Sequence, residues 1–524
     1  DGDTVSAEVI REVPGKNPVG RISKVTEPAA KDIVGIFHAR DGGGYVVPDD
    51  ERFKRTLDIP PEKVQSGKKG TAPLEGQFVV VRRERWEDPS KNPSGRIIEI
   101  LGDQDRQGID ILVLAKSKGL RTEIPKAVID ETGKLKAPDI KREKKRREDL
   151  RDRLCFTIDP ETAEDFDDAV SLVQLENGRF ELGVHIADVS HYVKEGSALD
   201  EEALERATSV YFVDSVIPML PEKLSNDLCS LRENTDRLAF SVIMEIDARG
   251  EIIDYRITES IIRSDKRFTY REVEDIIEGK KHPYGQTVHL MMMLSMVLRR
   301  AREERGSIDF DVPVPVISLD ENGIPYEVSP SERLDANRLV EEFMLAANLT
   351  VARHMVAMNS RKKGKEPRPF VYRVHEKPDE QEVQEFLDLL QRLGINYRVP
   401  GELEPEDYRK ILDLVENLEF KDFAEKVALR SMTKAVYSTD NIGHFGLAFE
   451  AYTHFTSPIR RYPDLLVHRL LKRYAAEETA APEKGFKKKL QKICERCTER
   501  EIQAVEAERE HTKIKSMEFL SHKI

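Results

Sequence analysis

The chain has 524 residues, 39% of them hydrophobic and 35% charged, with a formal net charge of −13. That length admits two to four domains with real cores, and four cysteines are too few for a secreted disulfide scaffold. The longest apolar stretch, HLMMMLSMVL at 289–298, falls well short of a membrane span, and no signal sequence precedes the first strand-like segment, so a cytoplasmic protein without a membrane partner is expected.

The first elements form a repeat. Residues 2–25 (GDTVSAEVIREVPGKNPVGRISKV) and 76–100 (GQFVVVRRERWEDPSKNPSGRIIEI) each read as strand, Lys-Asn-Pro turn and second strand, with apolar residues alternating. Between them DIVGIFHA, GGYVVPDD and RTLDIP supply further strands. Residues 28–103 are therefore expected to close a five-stranded barrel, with 1–27 only the closing hairpin of a similar one. Small antiparallel barrels of this kind are often OB-folds, which present a face to oligonucleotides. Phe37, Tyr45, Phe53, Phe78 and Trp86 are sparse but available for stacking on bases.

Residues 104–149 read as a linker, punctuated by Pro125 and Pro138 and ending in a basic run. That run, KLKAPDIKREKKRRE at 134–148, carries eight Lys/Arg against three Asp/Glu, and KGFKKKLQK at 484–492 is a second basic block. Each is either a solvated helical face or a track for a phosphate backbone, because binding follows the local field rather than the net charge.

A large mixed α/β region is expected over 150–524. RLCFTID is a strand, and the segment from Asp167 to Val189 is a hairpin turning at Asn177-Gly178. Helical patterns follow in LDEEALERATSVYF, TYREVEDIIEG, QTVHLMMMLSMVLRRAREERG, DANRLVEEFMLAANLTVARHM and DEQEVQEFLDLLQRLG, and 484–524 reads as one or two charged helices. The Met cluster at helical spacing is core material. Cys494 and Cys497 form a CxxC with no second pair to complete a zinc site.

Within this region IDPETAEDFDDAV, at 158–170, gathers Asp159, Asp165, Asp167 and Asp168 between apolar flanks. Carboxylates this close raise one another's pKa. No frame gives the D-x-[DN]-x-[DN]-G pattern of a calcium EF-hand loop. A loop that folds 165–168 back onto Asp159 suits hard divalent cations instead, which take oxygen ligands and assist phosphodiester cleavage in pairs.

At these residues the sequence resembles the ribonuclease II/R (RNB) family of processive 3′-to-5′ exoribonucleases. The resemblance runs in order through TIDPETAEDFDDAVS, GVHIADVSHYV, TSVYFVDSVIPMLPEKLSNDLCSL, RFTYREV, RGSIDFDVP, NRLVEEFMLAAN and YTHFTSPIRRYPDLLVHRLL. It implies cold-shock (OB-type) barrels followed by an RNB catalytic domain over 150–524. The branch is closer to bacterial ribonuclease R than to the eukaryotic exosome subunit, with the extreme N-terminal part and the C-terminal OB-fold domain lacking.

Site roles follow from the resemblance. Asp159, Asp165, Asp167 and Asp168 match the metal aspartates, with Asp165, Asp167 and Arg460 the catalytic set and Arg460 gripping the phosphate. Tyr211 and Phe310 match aromatics that sandwich bases near the 3′ end, and Tyr270 and Glu342 match residues near the terminal ribose, where a 2′-OH separates RNA from DNA. The expected cofactor is Mg²⁺, two ions, with Mn²⁺ as a substitute. The expected partner is single-stranded RNA whose 3′ end enters a channel of a monomeric enzyme and leaves as nucleoside 5′-monophosphates. His185 and His191 are read as hydrogen-bonded structure, since magnesium prefers oxygen. A catalytically dead RNA clamp would keep the channel without the chemistry, and a DNA exonuclease would leave Tyr270 and Glu342 unexplained.

Overall fold

The computed structural model describes all residues except 1–3, 14–15, 28–31, 41, 66–70, 85, 87–89, 311–312, 361–366, 400–402, 477–483 and 524. Near the N-terminus, Thr4–Val13 and Lys16–Glu27 form an antiparallel two-stranded sheet. Lys16, Asn17 and Pro18, expected as a turn, lie in the second of these strands. A two-stranded ribbon is all edge, which tolerates the missing proline donor.

The barrel strands follow the alternation. Their order across the sheet is Leu57–Ile59, Gly43–Pro48, Asp32–Arg40, Phe78–Arg83 and Gly95–Gly102. The two outer strands meet where the Asp58 N–H donates to the Pro93 carbonyl at 2.9 Å, so the sheet curls towards closure. Phe37, Val46, Leu57, Ile59, Val79, Val81 and Ile97 fill its interior. In this copy Lys91-Asn92-Pro93 does lie in the loop before the last strand.

The segment expected as a linker is packed structure. It carries helices Ile109–Ser117, Lys126–Lys134 and Ile140–Glu143. Ile109 and Val113 pack on Val34, Val80 and Leu101 of the barrel, while Val128 joins the main core. The apolar run IDILVLA at 109–115 needs partners, and burial against two bodies supplies them. Part of the basic run turns inward as well. The Arg147 side chain is fully buried and bonded to Glu143 and Asp188.

The large domain is built on a seven-stranded sheet. Its order is Lys266–Thr269, Phe156–Asp159, Asp168–Gln174, Phe180–Ala187, Asp236–Ile246, Ile252–Arg263 and Glu148–Asp149. The first and last pairings are parallel and the others antiparallel. The hairpin turn falls at 175–179, with Gly178 at φ 76°, where a side chain would be strained. Helices Gly285–Glu304, Asp335–Ser360 and Tyr462–Ala476 share the sheet's core.

Helices Glu380–Arg392, Pro405–Val415 and Lys421–Arg430 form a second lobe around Phe386, Tyr408 and Ile411. The C-terminal pattern is one helix, Phe486–Ser521, of 36 residues, roughly 54 Å long at 1.5 Å per residue. Among the described residues no helix is long and apolar enough to cross a membrane.

Candidate active site

Sheet register and three short tethers assemble the site. Asp159 ends its strand and pairs in parallel with Thr269. Thr269 caps the helix Tyr270–Ile277 through a capping box with Glu272, so Tyr270 is delivered beside Asp159. The loop from 160 to 167 returns the chain to Asp168, which opens the neighbouring strand opposite Ile186.

That acidic loop is pinned from outside. The Ser230 hydroxyl donates to the Glu164 carbonyl at 2.7 Å and accepts from the Phe166 N–H at 3.1 Å. Arg267 donates to the carbonyls of Pro160 and Glu161 at 2.7 and 2.8 Å. Ser230 follows a π-helical turn, Lys223–Leu228, a feature frequent at functional sites.

The second tether carries Arg460. Asp464 accepts from the Ser457 N–H at 2.8 Å and from Arg461 at 2.8 and 3.0 Å, which holds the TSPIRRYPD turn. The Ile459 N–H donates to Asp167 Oδ1 at 2.8 Å. The Arg460 side chain remains 45% exposed, with Nε 3.7 Å from Asp167 Oδ2.

The third tether carries Tyr211. The expected helix over 199–212 spans Ala198–Arg206 and ends where Ala207 turns left-handed at φ 59°. Residues 207–209 then pair with 460–462: the Ser209 N–H donates to the Arg460 carbonyl at 3.0 Å and the Tyr462 N–H to the Ala207 carbonyl at 2.9 Å. Val210–Tyr211 becomes a short strand against Val216–Ile217, and the Tyr211 N–H donates to Glu508 at 2.9 Å. The β-branched, aromatic run SVYFV explains why helix propensity lost here.

The carboxylates pay a desolvation cost that the chain does not offset. Burial, with the Asp168 carboxylate adding to it, pushes Asp159 up to about 8. Burial raises Asp168 to about 6 against the pull of Arg460 and Arg461. Asp167 is driven well above the usual range and Asp165 is also raised, both by burial and both opposed by Arg460. Burial and the Asp168 and Asp159 charges raise the Tyr270 hydroxyl. Asp159 Oδ2 and Asp167 Oδ2 are buried with no hydrogen-bond partner.

Those orphaned oxygens are the test of fit for a divalent cation. Among the described residues, no three or more His, Cys, Asp or Glu side chains are grouped so as to hold a metal ion as they stand. A magnesium ion that keeps waters and takes phosphate oxygens needs only one or two carboxylates. The donor set is all carboxylate oxygen and short of partners, and it fits.

Asp159, Asp165, Asp167, Asp168, Tyr211, Tyr270 and Arg460 are thus brought together. Two residues with expected roles are placed elsewhere. Glu342 is buried in an ion pair with Arg302 at 2.6 Å, and Arg302 also donates to Ser307 at 2.7 Å. Phe310 packs at the edge of the second lobe's core, with Arg333 reaching its carbonyl at 3.5 Å. His185 is a fully buried strand residue between Ser171 at 2.9 Å and Ser241 at 2.7 Å. Ser230, Asp464 and Glu508 support the site without standing out in the sequence.

An RNB domain model matches residues 147–477, and a cold shock domain model matches 45–125. The ribonuclease R of Thermotoga maritima is 41% identical over 518 residues, which are 97% of this chain and 71% of that protein. The ribonuclease R of Aquifex aeolicus is 43% identical over 478 residues, 90% of this chain and 66% of that protein. The solved Mycoplasma genitalium RNase R in complex with ribose-methylated single-stranded RNA superposes with a TM-score of 0.91 at 27% identity, covering 100% of this chain and 82% of that one.

Proposed function

The chain belongs to the RNB family as a 3′-to-5′ exoribonuclease of the ribonuclease R type, and from that premise we propose that it hydrolyses single-stranded RNA processively to nucleoside 5′-monophosphates at the aspartate cluster. The observation that carries this reading is the pair of buried, unpartnered oxygens on Asp159 and Asp167 beside the half-exposed Arg460.

In this reading Asp159, Asp165, Asp167 and Asp168 hold two Mg²⁺ ions. When bound, these would neutralise phosphate charge and ease ionisation of the attacking water. Arg460 would reach the phosphate next to the scissile bond, where a guanidinium suits its paired oxygens. The Ile459 N–H fixes the rotamer of Asp167, so the carboxylate needs no reorganisation during the step. Tyr211, 41% exposed, would stack on a base near the 3′ end, with Phe310 offering the opposite ring from the second lobe. Tyr270 would hydrogen-bond the terminal ribose. Glu342 would act on that ribose through its Arg302 pair or after leaving it.

The test uses labelled single-stranded RNA and DNA of equal length, with Mg²⁺ and with chelator. We expect stepwise 3′-to-5′ shortening of RNA to mononucleotides with Mg²⁺ only, and little cleavage of DNA. RNA bound but uncut with Mg²⁺ would make the protein a clamp, and equal cleavage of DNA would remove the ribose reading.

A further inference from the structure

The short hairpin that bears Tyr211 has little sheet to hold it. Val210–Tyr211 pairs only with Val216–Ile217, and a two-stranded ribbon this short is not stable alone. Besides the ladder of 207–209 with 460–462 and the Glu508 bond to the Tyr211 N–H, its support comes from packing against two other parts of the chain. Val210 and Phe212 share a small core with Leu114 of the helix Ile109–Ser117 and with Ala504 and Ala507 of the terminal helix. Two alanines one turn apart let the terminal helix approach closely.

At the edge of this core lies His511, fully buried. Its Nδ1 accepts from the Val213 N–H at 3.3 Å, and its Nε2 stands 3.3 Å from Asp110 Oδ2. An imidazole that accepts at Nδ1 carries its hydrogen on Nε2, so Nε2 donates to Asp110. Lys515 holds the same Asp110 oxygen at 2.9 Å, and the Phe212 ring meets the imidazole edge-to-face with centroids 5.3 Å apart. One side chain therefore joins the hairpin of Tyr211 to the helix that packs on the barrel.

We propose that His511 is a positioning residue for the Tyr211 clamp, acting through its Nδ1 bond to the Val213 backbone beside the Glu508 bond to Tyr211 itself. The proposal rests on the reading that Tyr211 stacks on RNA. A backbone bond to a rigid helix sets the angle at which the hairpin presents its ring. Losing it lets the ring wander, which weakens stacking on short RNA most, since long RNA has other contacts. Val213 is two residues from Tyr211, so a small rotation there moves the ring directly.

Three variants separate this bond from general packing. His511→Asn places an amide oxygen near the Nδ1 position and keeps the acceptor for Val213. His511→Gln reaches towards Asp110 and leaves Val213 without a partner. His511→Ala removes both. Exhaustive digests of one single-stranded RNA are compared on a denaturing gel with those of Tyr211→Ala, each protein's melting being recorded alongside.

Tyr211→Ala, His511→Ala and His511→Gln are expected to leave a longer limit oligonucleotide than the unaltered protein, and His511→Asn the same one. For short RNA, KM should rise about three- to tenfold in the Ala and Gln variants, the range of one hydrogen bond, with kcat on long RNA little changed. If Tyr211→Ala lengthens the limit product while none of the His511 variants does, the positioning role is wrong. It is equally wrong if Asn behaves like Gln, for then packing rather than the Val213 bond is at work. Should His511→Ala unfold, the Asn and Gln pair still decides. If Tyr211→Ala itself changes nothing, the clamp reading falls, and this inference with it.

Discussion

Asp167 and Asp188 are buried aspartates at the same end of one sheet, and the chain treats them in opposite ways. They are close neighbours: the Ala187 N–H donates to the Asp167 carbonyl at 2.8 Å, and their exposures are 4% and 1%. Asp188 is supplied with cations. Lys472 reaches both of its oxygens at 2.6 Å, Arg147 reaches one at 2.5 Å, and the Ser190 hydroxyl donates at 2.7 Å. Its pKa is pulled far below the usual carboxylate range, the two cations overcoming the cost of burial. Asp167 receives one backbone N–H, has an arginine no closer than 3.7 Å, and is driven the other way. Enclosure is similar, so the difference lies in compensation. A buried charge costs several kcal/mol unless paired, and at Asp167 the chain supplies no such pair.

The comparison is broken most sharply by neutralising each aspartate without changing its shape. Asp167→Asn should lower hydrolysis of RNA by about a hundred- to a thousandfold or more, the scale of losing a preorganised charge at the reacting centre. RNA affinity should fall by less than about tenfold, because in the proposed reading stacking and phosphate contacts lie elsewhere. Single-turnover rates and binding to the same oligonucleotide measure both, and near-normal turnover would remove Asp167 from the chemistry. In chelator this variant should melt no lower than the unaltered protein, since an unpaired buried charge has gone.

Asp188→Asn should do the reverse. It leaves Arg147 and Lys472 under-compensated in the interior, and breaking a buried pair costs about 3–5 kcal/mol. Glu259 still faces Lys472 at 2.9 Å and Arg147 at 3.0 Å, which sets the expected loss near the lower end, about 3 kcal/mol. Denaturant unfolding reads it. A loss as small as that of Asp167→Asn would mean that the two sites are not different in kind.

How much of this could be seen beforehand divides along the same line. The aspartate cluster stood out because four acids between apolar flanks make poor solvent-exposed sequence, and register then placed Tyr270 next to Asp159 through Thr269. Arg460 and Tyr211 were flagged by resemblance, while the ladder that joins 207–209 to 460–462 is a contact between segments some 250 residues apart and leaves no local trace. The Asp188 network was hidden for a related reason. Arg147 belongs to a run of lysines and arginines that reads as a solvated helix, and only the fold shows that one member turns inward to Asp188. The helix Ile109–Ser117 is not legible in the sequence because the downstream Pro125 and Pro138 and the basic run outweigh a short apolar pattern, which in the fold has partners on both sides. Glu342 shows the converse limit: matching a motif named the residue, but its side chain is engaged by Arg302.

The smallest expected effect is also the most specific to the unpaired site. In the folded protein Asp159 rises from 3.8 to about 8 and Asp168 rises to about 6, burial being the first cause of both. An acid whose folded pKa is raised keeps its proton where the unfolded chain has already released it. The native state therefore binds more protons between about pH 4 and 8, and stability falls as pH rises through that window. Its contribution is fully present below the unfolded value and lost above the folded one. Both residues keep some contact with solvent, so the change should be modest: in chelator, melting should drop by roughly 1–2 °C from pH 5 to pH 8 on account of this pair, the equivalent of about 1 kcal/mol in a domain of about 375 residues. Other groups titrate over the same range, and the difference between the protein and Asp159→Asn removes their share, because distant sites contribute additively. The variant should be flatter with pH and should melt higher than the unaltered protein at pH 8, while the two converge near pH 5. Parallel curves for the two proteins would mean that Asp159 ionises without strain, and the aspartate cluster would then be compensated by the chain after all, as Asp188 is.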